Sequence, residues 1–95
     1  MKNHQSPLST ALTEMLSIDF PIIQAPMFLV SNVKMAIAAS SAGITGCIPA
    51  MNYRSCEDLR NAILDFKKDT NGPLGINLIV NKFNSKIDNQ LNVCI

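Results

Sequence analysis

Phe20-Pro21-Ile22-Ile23-Gln24-Ala25-Pro26-Met27-Phe28-Leu29-Val30-Ser31 is an apolar run, a proline break and a hydroxyl residue able to start a helix. The run over residues 22–25 has the composition of a buried strand. Pro21 is tolerated as a strand's first residue, and Pro26 stops the strand because its ring nitrogen has no hydrogen to donate. Ser31 is expected to cap a helix running to about Ala42, with Gly43 as its stop. The small residues Ala36, Ala38, Ala39, Ser40 and Ser41 would let that helix lie close on a sheet. The turn between strand and helix also excludes a function. A dinucleotide-binding sheet places G-x-G-x-x-G there to cradle a pyrophosphate, and residues 24–31 contain no glycine. Neither G-x-x-x-x-G-K-[ST] nor G-x-S-x-G occurs elsewhere, so P-loop and α/β-hydrolase readings lose their main support.

Working outward, a second short strand is expected over 44–48, ending at Pro49. The next unit is the clearest on periodicity. Ser55 is a good N-cap, Glu57 and Asp58 suit the first turn, Leu59, Ala62, Ile63 and Phe66 share one face, and Lys67 and Lys68 suit the last turn. Asn71, Gly72 and Pro73 end that helix. Residues 74–80 then read as a third strand, apolar on both faces as a strand buried between layers is. A further helix is expected from Asn84, with Ile87, Leu91 and Cys94 or Ile95 on one face, and the chain then stops without a following strand. Ahead of the first strand, residues 9–16 read as a short helix with Leu8, Leu12, Met15 and Leu16 on its apolar stripe. Strands near 22, 44 and 74, each separated by a helix, define two βαβ units: an α/β fold with a parallel sheet in sequential order.

Composition narrows the partners. Of 95 residues, 47% are hydrophobic and 16% charged, a balance that calls for a packed core rather than a disordered tail. A net charge of +1 with scattered basic residues gives no footprint for nucleic acid or an anionic membrane. The apolar runs fall short of the roughly 20 residues a bilayer-spanning helix needs, and the polar leader has no apolar signal core, so cytoplasmic residence is the default expectation. Cys47, Cys56 and Cys94 are widely spaced and suggest reduced thiols, with neither a disulfide framework nor a zinc site. His4 lies in the leader, where a catalytic role is not expected.

Three runs together, Phe20-Pro21-Ile22-Ile23-Gln24-Ala25-Pro26-Met27, Ser41-Ala42-Gly43-Ile44 and Gly75-Ile76-Asn77-Leu78, resemble the opening of the nitronate monooxygenases, once called 2-nitropropane dioxygenases. No run is specific alone; the order and spacing of all three carry the resemblance, which spans the chain from about Leu12. One departure stands at Gly43-Ile44-Thr45-Gly46, where the family pattern has a glycine pair. The resemblance implies that this chain is the first three β/α units of a TIM (β/α)8 barrel, and that FMN lies across the barrel's C-terminal mouth. It places Ala25, Pro26 and Met27 beside the flavin ring, with backbone groups on its polar edge, and Asn77 inward at the end of the third strand. Alternation points Asn77 the same way: if Leu74, Ile76, Leu78 and Val80 pack under helices, Gly75, Asn77 and Ile79 face the interior. The residues alone leave blander roles open, with Met27 as core filler, Gln24 as a partner for backbone groups, and Asn77 as a structural hydrogen bonder.

The implied reaction takes a small nitronate or nitroalkane, with FMN as electron acceptor and O2 as its oxidant. The family's catalytic histidine and phosphate-binding loops come from later regions, so no catalytic residue is expected in this chain. A whole barrel needs about 250 residues. The chain therefore reads as an N-terminal portion, inactive alone, binding no FMN and either self-associating through unpaired sheet edges or loosely packed. Two alternatives stay open. An FMN-dependent enoyl-[acyl carrier protein] reductase has a similar opening, although Ala25-Pro26 in place of a Gly-Gly pair leans towards the nitronate enzymes. The other is a small non-enzymatic α/β module.

Overall fold

The computed structural model describes residues 8–82 and 84–95; His4 lies outside the described residues. In chain order the elements are α1 (Ala11–Leu16), α2 (Val33–Ser41), β1 (Gly46–Pro49), a 3-10 turn (Ala50–Asn52), α3 (Cys56–Asp69), β2 (Leu74–Asn77) and α4 (Ile87–Cys94). β1 and β2 pair in parallel, with Gly46 opposite Leu74, Cys47 opposite Gly75, Ile48 opposite Ile76 and Pro49 opposite Asn77. The segment expected as the first strand, residues 22–25, lies on the other side of β1, also parallel, but its pairing is a single bridge between Ile23 and Thr45. There the Thr45 N–H donates to the Ile22 carbonyl at 3.1 Å and the Gln24 N–H to the Thr45 carbonyl at 2.9 Å. The next rung would need a backbone N–H on residue 26. Pro26 has none, which cuts the expected strand to one bridge without changing its direction or place.

Helices α2, α3 and α4 gather on one side of this sheet. α3 forms as its pattern predicts: the Ser55 hydroxyl accepts from the Asp58 N–H at 3.1 Å, and Leu59, Ala62 and Phe66 are buried. These three join Ala36, Ile48 and Ala50 in one apolar core, with Ile63, Leu74, Ile76, Leu78, Val93 and Cys94 packed against it. α2 reaches β1 closely because Gly46 has no side chain; a Cβ there would run into the Ala36 backbone. The cap of α2 is Asn32, whose carboxamide oxygen accepts from the Met35 N–H at 2.9 Å, and not Ser31 as expected. At the other end the Ile44 N–H reaches the Ala39 carbonyl and the Gly43 N–H the Ser40 carbonyl, both at 3.1 Å. With Gly43 at φ 88 this is a Schellman stop. The Gly43 carbonyl then accepts from the Asp19 and Phe20 N–H groups, which seats the leading segment beside β1. Ile44 is not among the positive-φ residues, so the family's second glycine is not required for this turn.

Other expectations are corrected. In α1 the buried residue is Thr13, while Leu8 and Met15 are exposed; Thr13 sits in a reciprocal cap with Thr10, and the apolar contact passes to Ile18 just after the helix. The second strand begins at Gly46 rather than Ile44. The third ends at Asn77, and Val80, expected under the helices, is 84% exposed. α4 starts at Ile87 and turns Gln90, Val93 and Cys94 inward, leaving Leu91 and Ile95 exposed. The observed face shares Cys94 with the expected one and is turned from it by roughly a quarter of a turn. Among the described residues no helix is long and apolar enough to cross a membrane.

Candidate functional site

All three parallel segments point their C-terminal ends the same way, so the turn after Gln24, the turn after Pro49 and Asn77 lie at one mouth of the sheet. The turn after Gln24 is held by side chains. The Gln24 carboxamide lies along β1, its Oε1 accepting from the Cys47 N–H at 3.0 Å and its Nε2 donating to the Cys47 carbonyl at 3.0 Å. Those are the two bonds that the next backbone rung would have made had residue 26 carried an N–H. The same Nε2 donates to the Ala25 carbonyl at 2.7 Å.

Ser31, fully buried, donates its hydroxyl to the Ala25 carbonyl at 2.7 Å and accepts from the Met27 N–H at 2.8 Å, closing a loop around Pro26. The Met27 carbonyl accepts from the Val30 and Ser31 N–H groups. Asn52, on the 3-10 turn after β1, clamps the far side: its Oδ1 accepts from the Leu29 N–H at 2.7 Å and its Nδ2 donates to the Ser31 carbonyl at 2.9 Å. Leu29 sits at φ 61, a left-handed conformation costing a side-chain-bearing residue on the order of 1–2 kcal/mol, and the Asn52 bond holds it there.

The four expected contact residues are placed as follows. Ala25, Pro26 and Met27 form the mouth turn, and the Met27 side chain is 45% exposed. With the Ala25 carbonyl and the Met27 N–H and carbonyl engaged within the loop, the Ala25 N–H and the Pro26 carbonyl are the turn's backbone polar groups with no hydrogen bond to the described residues. Asn77 ends β2 with its side chain exposed. It shares a face with Gly75, whose added Cβ would strike the Cys47 sulfur, and that face is opposite the one on which Ile76 and Leu78 meet the helices. Turn and asparagine therefore share one end of the sheet, with Asn77 on the face opposite the helices. Sequence reasoning missed Ser31 and Asn52 as parts of this site. Ser31 has the local signal of a helix cap, and Asn52 carries no local signal because both its bonds reach more than twenty residues back along the chain.

Cys47 and Cys94 are not poised for chemistry. Burial pushes the Cys47 thiol above its ordinary value, opposed by a hydrogen bond with the Gly75 backbone; burial and then the nearby Cys56 raise Cys94. Such groups stay protonated at neutral pH and are poor nucleophiles. A cavity lined by Ser17, Asp19, Ser40, Gly43, Gly72 and Pro73 opens at the N-terminal ends of the strands. In parallel barrels that end serves stability, and chemistry is built at the other.

Comparison with known proteins identifies the family. A family profile described as nitronate monooxygenase matches residues 9–92. A probable nitronate monooxygenase of Staphylococcus haemolyticus is 34% identical over 80 residues, which is 84% of this chain and 22% of that protein. An octahydro-indene carboxyl-CoA dehydrogenase of Mycobacterium tuberculosis is 31% identical over 71 residues, 75% of this chain and 20% of that one. The solved structure of FabK from Thermotoga maritima superposes with a TM-score of 0.81 at 32% identity, covering 93% of this chain and 27% of FabK. FabK is a TIM-barrel enzyme, so the parallel α/β arrangement here is part of a barrel. The chain thus spans about a fifth to a quarter of the length of these proteins. With a profile match over nearly its whole described length and a sheet that overlays a barrel opening, the chain belongs to the nitronate monooxygenase family.

Proposed function

We propose that this chain forms the flavin-contacting opening of an FMN-dependent oxidoreductase that oxidises nitronates or nitroalkanes with O2. The observation that carries the proposal is the mouth turn at Ala25, Pro26 and Met27: it leaves one N–H and one carbonyl without a partner among the described residues, beside an exposed methionine, on the end of the sheet where Asn77 also emerges. A flavin ring has an apolar face and an edge of alternating carbonyl and N–H groups, and these residues fit that part of the cofactor. A single free N–H does not make a phosphate cradle, so the FMN phosphate would be held elsewhere. FMN, when bound, supplies the two-electron acceptor and its return to the oxidised state by O2.

In that arrangement the Ala25 N–H and Pro26 carbonyl hydrogen-bond the ring's edge, Met27 packs on its face, and the Asn77 carboxamide offers a donor and an acceptor to the same edge. We assign no catalytic base to this chain. Alone it would be inactive and retain no FMN, self-associating through the free edges of β2 and the leading segment, and in the cell it would reside in the cytoplasm. A second reading, an FMN-dependent enoyl thioester reductase, is favoured by the superposition on FabK. The enzyme that carries this segment separates the two. Nitroalkane-dependent O2 uptake supports the first; reduction of an enoyl thioester by a reduced nicotinamide cofactor without nitroalkane turnover supports the second and overturns the first.

A further inference from the structure

We infer that Gln24, Ser31 and Asn52 are positioning residues that act as one unit to fix the shape of the mouth turn. The use of that shape for a flavin rests on the reading above; the positioning does not. Gln24 stands in for a peptide group. Its carboxamide makes with Cys47 the two bonds that a continued strand would make, so the chain can leave the sheet at Pro26 without stranding the buried N–H and carbonyl of Cys47. Ser31 then takes the Ala25 carbonyl and the Met27 N–H, and Asn52 ties Leu29 and Ser31 to the turn after β1. Five polar side-chain contacts converge on residues 25–31, and each is made within the described residues. These three side chains take the Ala25 and Ser31 carbonyls and the Met27 and Leu29 N–H groups, while the Ala25 N–H and Pro26 carbonyl have no partner among the described residues. Asn52 also holds the left-handed Leu29, a conformation that would relax without its partner.

The test uses the 95-residue chain and site-resolved amide hydrogen exchange. Gln24→Leu keeps the bulk and removes both bonds; the Cys47 amide should exchange at least tenfold faster and the Met27 and Leu29 amides should follow, while amides within α3 such as Phe66 keep their protection. Gln24→Glu is the informative companion. As a carboxylate it accepts from the Cys47 N–H but repels the Cys47 and Ala25 carbonyls; once protonated it donates as well, so Cys47 protection should return as pH falls through the new carboxyl's pKa. Cys47 itself is the one titratable side chain on β1, and its raised thiol stays neutral across that range. Ser31→Ala and Asn52→Leu should each loosen Met27 and Leu29 together. Unchanged Cys47 exchange in Gln24→Leu, or no pH-dependent recovery in Gln24→Glu, overturns the inference. Quenching of FMN fluorescence by the enzyme carrying this segment forms a separate arm. If exchange responds as described while that enzyme takes up no FMN, the positioning stands and the flavin reading falls.

Discussion

Replacing Gly46 with alanine is expected to be among the most damaging single-methyl additions in this chain. A Cβ at that position would stand 2.7 Å from the Ala36 Cα and 2.9 Å from the Ala36 carbonyl carbon, and closer still to the carbonyl oxygen. Carbon atoms pack at about 3.5–4.0 Å, so α2 must retreat from β1 by roughly 1 Å. Ala36 is fully buried, and its backbone cannot swing aside as a side-chain tip would. Overpacking of this kind costs about 1–3 kcal/mol, and the backbone contact places this case at about 3 kcal/mol. With a urea slope of about 1 kcal/mol/M for a chain of this size, the midpoint should fall by about 3 M, or the native signal should be lost outright. The site should feel the same shift, since Asn32 and Ser31 stand at the start of α2. Urea titration by circular dichroism measures the effect, with Gly75→Ala as the control. There the nearest obstruction is the Cys47 sulfur, one rotation away from clearing it, and the cost should be smaller. A Gly46→Ala midpoint equal to or above that of Gly75→Ala would refute the packing argument.

Phe66→Ala should cost about 3–5 kcal/mol, read by the same titration, because the ring is fully buried in the core between α3 and the sheet. Thr45→Val should instead raise stability by about 1 kcal/mol: the Thr45 hydroxyl is buried with no partner among the described residues, and the isosteric methyl removes that cost. Stability should also fall in alkali. Burial raises Cys47 and Cys94 from 9.0 and Tyr53 from 10.0, so the unfolded chain ionises first. Their contribution is complete below pH 9 and is lost as pH climbs through the raised folded values, which urea midpoints between pH 8 and 11 would show. Asn77→Leu should leave the stability of this chain within about 0.5 kcal/mol because the side chain is exposed, yet weaken flavin retention in the enzyme carrying it by about 1–3 kcal/mol, measured by equilibrium dialysis.

Elements that announce themselves through local chemistry were legible in the sequence. α3 has its cap, its charge placement and its apolar spacing within fourteen residues, and all three act as written. Gly43 was legible for the same reason, since a left-handed stop is a property of one residue. The bounds of the strands were not. Pro26 foretold where pairing ends, and Gln24 was legible as a partner for backbone groups, but neither told that a single bridge would precede the break or that the partner would be Cys47, because that bond depends on where Cys47 lies. The faces of α1 and α4 were misread because their apolar residues outnumber the buried positions available, and the fold buried Thr13 and Gln90 instead. At the site, the turn residues and Asn77 are proposed from pattern; Ser31 bonds only four and six residues back but carries the same signal as a helix cap, whereas Asn52 works across a distance that no local pattern encodes.

The most direct measurement joins residues 1–92 of this chain to the portion of the Staphylococcus haemolyticus relative that follows its matching segment, and quantifies flavin bound to the purified, folded chimera. A yellow protein retaining FMN close to one per chain, and losing it on substitution of Asn77, is the expected result. A chimera that folds with native helicity but emerges colourless would contradict the claim that this chain supplies a flavin-contacting barrel opening.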